Sequence, residues 1–484
     1  MHNFNLYNKL VNKKRIYIVE GFVMKRKSVS IGLAALLAVS LLAGCGGKGA
    51  AETGSTGDTK AVQEADNSGN AETTGGGTGE QVTINFQTWN PGEGAAIDEV
   101  IAAFEEKYSN IKVNHVYMPY TDHVEKLKID LASGEGADVF GMQTGATIKE
   151  FRDFEMDLTP YAENSWGSDW QSQYMDFCMD LLNEDGHYYG LPLGLTYAGF
   201  TWADVNMLKE YGLEVPGSYD ALKECARVLR ENGQYPLTIG AKDAWINIDT
   251  WMSMANDINS EKLYSAIEGK TPFTDPDLVE SFRIWQSCFT EGIFQDGALG
   301  VGVYNDTSDL FEKEGSIPMI QNGSWSAGFY VSGDPDQNRV FNSEGADHDI
   351  FLIDWNNDGK VCPVTASVDV CLCMNKNTKN PEAAWTFIDF MLHEGQDILI
   401  NRYFSYCPSR KDLELNVEGM NQDGLDNLAY IVEQSENNLG GYREMAYADL
   451  KQVISDQLTV LALGDATPEE AAATIEAASQ AQAR

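Results

Sequence analysis

Val82-Thr83-Ile84-Asn85-Phe86-Gln87-Thr88-Trp89 opens on a strand-like alternation of apolar and polar side chains, and Asn90-Pro91-Gly92-Glu93-Gly94 then breaks the pattern. Directly after the break, Ile97, Val100, Ile101 and Phe104 recur at helical spacing, an inward apolar stripe that predicts a helix from Ala95 to Tyr108. Strand, glycine-bearing turn, helix is the α/β unit. The pattern repeats downstream. A second strand is expected over Ile111 to Tyr117, a helix around His123 to Leu131, and a third strand at Ala137-Asp138-Val139-Phe140. Such a βαβαβ run has parallel strands, and open parallel sheets bind ligands at their carboxyl edge. Trp89 and the stretch from Phe140 to Thr144 are therefore expected on one functional edge.

Working back from Val82, residues 46–80 are mostly Gly, Ser, Thr, Ala, Asp and Glu, with no aromatic residue and only Val62 as a β-branched aliphatic. Such a segment cannot bury enough surface to offset its ordering entropy, so residues 45–81 read as a flexible linker with a reach of roughly 30–35 Å. Further back, Lys25-Arg26-Lys27 follows Met24, and Ile31 to Leu42 form an apolar run of signal-peptide length, short of what a spanning helix needs. Leu42-Ala43-Gly44-Cys45 closes that run. Small residues directly before a cysteine resemble the lipobox of bacterial lipoproteins, which implies cleavage after residue 44 and lipidation of Cys45. Residues 1–44 are thus expected to be a signal peptide starting at Met24, with the body held at the outer face of the membrane.

The 484 residues carry 73 acidic against 34 basic side chains; without the first 44, which hold seven Lys/Arg and one Glu, the net charge goes from −39 to −45. No basic stripe survives beyond the N-terminus, so no nucleic-acid partner is expected. Seven cysteines follow Cys45, an odd number that cannot form a closed disulfide set. Cys371 and Cys373 alternate along an apolar run, Val368 to Met374, and read as small buried hydrophobes rather than a metal or redox pair, because no histidine lies near. Asp354-Trp355-Asn356-Asn357-Asp358-Gly359 matches the first half of an EF-hand-type calcium loop, but its twelfth position is Thr365 and not a bidentate Glu. An acidic surface turn is the better reading, and no metal or other cofactor is expected. Ser324-Trp325-Ser326-Ala327-Gly328 narrowly misses the G-x-S-x-G nucleophile elbow, since its first small residue is Ser.

Ordered landmarks extend from Val82 to the end of the chain. They are Phe104-Glu-Glu-Lys-Tyr108, Asn110-Ile-Lys-Val113, Gly136-Ala-Asp-Val139, Gly190-Leu-Pro-Leu193, and Met207 to Pro216 before a helix near Tyr219. Ile320-Gln-Asn-Gly-Ser-Trp325, Asn377 to Trp385, Gly395-Gln396 and Pro408-Ser-Arg410 follow. Their order and spacing, behind a lipobox, resemble the extracellular solute-binding proteins of ABC importers, the carbohydrate class related to maltose-binding protein. The resemblance implies an α/β, two-lobed Venus flytrap fold, each lobe a mostly parallel sheet flanked by helices, with several crossovers between lobes. It implies a first lobe at 82–193 plus 365–408 and a second at 194–364 plus 409–484. It also implies a monomer that captures a sugar or oligosaccharide in the inter-lobe cleft and hands it to membrane permease subunits. The chain itself has no GxxxxGK[ST] segment, so the energy would come from an ATPase partner.

Matched to the family's segments, the ligand-binding candidates are Trp89, Asn90 and Glu93 after the first strand, Gln143 and Thr144 after the third, and Tyr197 at the crossover. In the second lobe they are Asp243, Trp245 and Trp325, with Asp369 at the return crossover. Sugars present apolar C–H faces and a rim of hydroxyls, which aromatic faces and Asp or Asn side chains fit. Trp285 and Trp385 lie in helical apolar patterns and read as core, Trp251 is compatible with either role, and Asp138 reads as a cap on local backbone. Two alternatives stay open: an importer protein for another small polar solute, such as a peptide or polyol, and a secreted glycoside hydrolase, which would need a pair of carboxylates.

Overall fold

The computed structural model describes residues 81–89, 94–312, 317–330, 348–417 and 422–482. The leader, Cys45, the linker to residue 80, Asn90 and Glu93 lie outside the described residues. Within them the strands are β1 (Val82–Trp89), β2 (Ile111–Met118), β3 (Val139–Met142), β4 (Asn183–Glu184), β5 (His187–Tyr188), β6 (Gly190–Pro192) and β7 (Leu195–Ala198). β8 (Thr201–Asp204), β9 (Met319–Gln321), β10 (His348–Phe351), β11 (Val364–Val368), β12 (Cys371–Met374) and β13 (Leu439–Tyr442) follow.

The opening βαβαβ run folds as its periodicity predicts. β1 pairs in parallel with both β2 and β3, joined through helices Gly94–Lys107 and Tyr120–Ser133. β12 then adds antiparallel to β3, and β6 antiparallel to β12, giving the order β2-β1-β3-β12-β6. Its core is aromatic: Phe86 and Phe104 each meet Phe387 edge-on at 5.1 Å, so helix Pro381–Leu392 seals one face of the sheet.

A second sheet, β10-β8-β9, has β8 antiparallel to both neighbours, and parallel bridges Thr238–Ile320 and Leu237–Phe294 continue it. A third sheet has the order β13-β11-β7. The chain enters it from the five-stranded sheet at Leu193–Gly194, where β6 gives way to β7, and returns at Asp369–Val370, where β11 gives way to β12. The architecture is the expected α/β fold with repeated crossovers.

Trp251, Trp285 and Trp385 are core residues. Trp251 stacks on Phe282 at 4.9 Å with its Nε1–H on Ser281, Trp285 donates to the Leu458 carbonyl, and Trp385 donates to Ser165. The seven cysteines after Cys45 are free thiols and all are buried. A Cβ at Gly190 would stand 3.0 Å from the Cys373 sulfur and 3.3 Å from that of Cys371, so the glycine makes room for both. Asp138 caps backbone as expected, taking the Asn85 N–H at 2.8 Å and the Thr378 hydroxyl at 2.5 Å. In the acidic turn, Asp354 accepts the N–H groups of Asp358 and Gly359 at 3.1 and 2.7 Å, and Asp257 accepts that of Asn356 at 2.8 Å. Its carboxylates are thus engaged by the turn's own backbone, and among the described residues no trio of His, Cys, Asp or Glu is placed to hold a metal ion.

Glu155 is buried beside Arg152 and Cys373, and burial pushes its carboxyl up to about 8, against the pull of Arg152. A carboxyl whose folded pKa is raised contributes stability below its unfolded pKa, and that contribution is lost as pH rises through the folded value. Unfolding free energy from urea titrations should therefore fall as pH rises from the ordinary value of 4.5 to about 8 and level off above it, and Glu155→Gln should flatten the decline; an unchanged slope in the variant would assign the decline to other groups.

Candidate functional site

At the carboxyl edge of the five-stranded sheet, β3 ends and hands on to Gln143 and Thr144, while Cys371 of antiparallel β12 lies opposite Met142. Asp369, two residues before Cys371, consequently arrives at the same edge. β7 pairs antiparallel with β11 and sets Thr196 opposite Ser367. The polar ends then meet: Asp369 Oδ2 accepts from Gln143 Nε2 at 3.4 Å and Thr196 Oγ1 at 3.2 Å, and the hydroxyls of Thr144 and Ser367 lie 3.1 Å apart.

The group that organises this edge comes from the far end of the chain. β13 runs parallel to β11, and the Arg443 N–H just past it donates to Ala366 O at 2.8 Å, which carries the Arg443 side chain into the cluster. Its Nη1 donates to Asp369 Oδ2 at 3.2 Å and to Thr196 Oγ1 at 3.3 Å. Its Nε lies 3.0 Å from both Asp249 oxygens, and its Nη2 lies 2.8 Å from Asp249 Oδ2. Asp249 stands one turn after Trp245 on helix Ala244–Ile267, so both point the same way. The guanidinium carbon sits 4.5 Å from the Trp325 ring centroid and 5.7 Å from that of Trp245, and the two indoles meet edge-on at 5.7 Å.

Two glycines permit these approaches. Gly145, at φ +84°, would place a Cβ 2.8 Å from Glu444 Cβ and 2.9 Å from Met445 O, so only glycine lets the Arg443–Met445 segment come this close. At Gly323 a Cβ would fall 2.1 Å from the Trp325 ring.

Electrostatics follow from burial. Burial opposes the charge on Arg443, yet Asp249, Glu444 and Asp369 outweigh it and hold the guanidinium protonated. Burial pushes Asp249 and Asp369 above the usual carboxylate range against the attraction of Arg443. Glu444 suffers the same burial but is held below its usual value by Lys451, 2.6 Å away, and by Arg443. Among the described residues, two buried polar atoms in the cluster have no partner: Asp369 Oδ1 and Trp325 Nε1.

Trp89 forms the wall on the β1 side, 8% exposed, with an edge-on contact to Tyr120 and a tilted one to His123, both at 5.3 Å. Burial raises the Tyr120 phenol, and Glu444 and Asp369 push it further, which ties this wall to the charged cluster. His123 is pushed down to about 4 by burial, and its Nε2 lies 2.9 Å from Gly141 O, so it serves as a neutral support beneath Trp89.

Of the residues singled out in the sequence, Trp89, Gln143, Thr144, Trp245, Trp325 and Asp369 converge here. Tyr197 does not: its phenol bonds Ser435 and lies near Cys407, on the other face of β7 from Thr196. Asp243 accepts the Val303 N–H at 2.8 Å and steadies the loop ahead of Trp245. The sequence reading missed Arg443, Asp249, Glu444, Thr196 and Tyr120. One signal was available: Arg443 and Lys451 are the only basic residues between 412 and 483, and Gly440-Gly441-Tyr442 precedes the arginine. Chemically the arrangement offers indole faces, paired acceptors and hydroxyl donors, a set that holds a polyhydroxylated molecule.

The family of bacterial extracellular solute-binding proteins matches residues 88–398. An uncharacterized ABC transporter extracellular-binding protein of Pyrococcus horikoshii is 26% identical over 318 residues, 63% of this chain and 66% of that protein. An ABC substrate-binding protein of Listeria monocytogenes in complex with cycloalternan superposes with a TM-score of 0.66 at 20% identity, over 83% of this chain and 99% of the other. Maltose-bound T. maritima MalE3 superposes with a TM-score of 0.65 at 16% identity, over 82% and 99%.

Replacing Arg443 with Met keeps the length of the side chain but strands two buried carboxylates, a change expected to cost about 3–5 kcal/mol at neutral pH. Without the guanidinium the folded-state pKa of both Asp groups rises further, so the penalty shrinks as pH falls and they bind protons. Denaturant titrations at pH 7 and pH 5 should find the larger loss at pH 7; equal losses would mean the cluster is neutral in the wild type.

Proposed function

Because the chain belongs to the bacterial extracellular solute-binding proteins, we propose that it is the lipid-anchored capture component of an ABC importer whose cargo is a sugar or oligosaccharide. Lipidation at Cys45 tethers it to the outer face of the membrane, and the linker gives the monomeric body freedom to meet permease subunits. The first body comprises 82–193 with 365–408, the second 194–364 with 409–484, and the ligand lies between them. A hinge at the crossovers closes the bodies on the ligand, and the permease reads the closed form.

The observation that carries this reading is the convergence of Trp89, Trp245 and Trp325 on a buried polar edge where Asp369 Oδ1 and Trp325 Nε1 have no protein partner. A pyranose ring presents a C–H face to an indole and hydroxyls to such atoms at the same time. The saccharides named for the Listeria and Thermotoga proteins support the same ligand class. Hydrolysis is less well supported: of the three carboxylates in the cluster, Asp249 is closed on Arg443 and Glu444 on Lys451, which leaves Asp369 without a second free carboxylate to form the acid/base pair. The protein is accordingly read as a binder that leaves its ligand intact.

A thermal-shift screen of mono- and oligosaccharides tests the proposal, since a ligand at a hundredfold excess over Kd adds about 2.7 kcal/mol to stability. Any stabilising sugar should be returned uncleaved after incubation; cleavage products would favour the hydrolase. Trp89→Ala and Trp325→Ala should each weaken that sugar by about ten- to a hundredfold through lost stacking area. If either variant folds and binds undiminished, that residue leaves the site. For the anchor, Cys45→Ala should move the protein from the membrane fraction to the medium, and unchanged lipid labelling would refute it.

A further inference from the structure

The charges of the buried cluster do not balance. Asp249, Asp369 and Glu444 face Arg443 and Lys451, three carboxylates against two cations. The geometry also locates the surplus. Asp249 takes two of the guanidinium's nitrogens, at 2.8 and 3.0 Å, and Glu444 is closed on Lys451 at 2.6 Å. Asp369 is left with one cationic contact at 3.2 Å, and its remaining donors, Thr196 and Gln143, are neutral. All three donors fall on Oδ2, while Oδ1 is buried with no partner. The carboxylate is 6% exposed, so water does not stabilise the uncompensated charge.

Building on the saccharide reading above, we propose that the ligand carries a protonated amine that binds Asp369 Oδ1, making an aminated saccharide the preferred cargo. A hydroxyl would satisfy the hydrogen bond at Oδ1 but leave the surplus charge in place; an ammonium supplies both the donor and the missing positive charge. Burial raises the Asp369 carboxyl in the protein alone and so favours its protonated form, and an ammonium at Oδ1 would restore the carboxylate by supplying the missing positive charge.

The test measures the full chain by calorimetry against matched series: glucosamine, galactosamine and glucosamine oligomers, their N-acetylated forms, and the corresponding hydroxyl sugars, with spermidine as a cation lacking a sugar ring. The amines should bind at least about tenfold tighter than their N-acetylated and hydroxyl partners. Asp369→Asn should erase that margin, and if this variant does not fold, the wild-type comparison alone decides. Neutral or N-acetylated sugars that bind as tightly as the amines would overturn the amine preference and leave the saccharide function standing. Spermidine binding without any saccharide would support the ammonium at Asp369 and sink the sugar. No binding in any series would overturn both.

Discussion

A guanidinium removed from water must be surrounded by acceptors, and in this protein that requirement joins segments as far as 247 residues apart. Arg443 arrives from the last quarter of the chain, Asp249 from a helix, and Thr196 and Asp369 from the two crossovers. The desolvation of one such charge is several kcal/mol, so the partners cannot drift without exposing or stranding it. Everything that defines the edge follows: the indoles of Trp245 and Trp325 pack against the guanidinium, and Gly145 is the size that lets its backbone segment in.

The fold was legible where local patterning and long-range packing agree. The alternation from Val82 and the stripe from Ile97 specify strand and helix without help from the rest of the chain, and their boundaries fall within a residue or two of the observed ones. The third strand is expected two residues early: it runs Val139–Met142, although the Asp138 backbone already bonds Asn85 O and the Asn375 N–H, both at 2.9 Å, while its side chain caps Asn85 and Thr378. The antiparallel position of β8 between β9 and β10 had no local signature, since pairing direction depends on where the connections lead.

The site was half legible for a related reason. Aromatic residues at strand ends declare themselves, so Trp89 and Trp325 stood out, and motif order led to Gln143, Thr144 and Asp369. The charged partners did not. Asp249 sits inside a helix as one of 73 acidic side chains, and nothing near it in sequence says that an arginine will come to it. Tyr197 shows the opposite error. A strand alternates its faces, and one position decides whether a side chain looks toward Asp369, as Thr196 does, or away from it.

The buried thiols give the molecule a chemical clock. A family whose members work outside the cell meets oxidants, and seven unpaired cysteines would ordinarily be a hazard there. Burial suppresses the reactive thiolate, pushing Cys178 and Cys407 up to about 12 and Cys225 up to about 11. The protection lasts only while the chain is folded. Global opening would expose several nucleophiles at once, each able to react with an oxidant while the fold is open. In an oxidising medium, slow unfolding therefore protects these thiols as much as burial does.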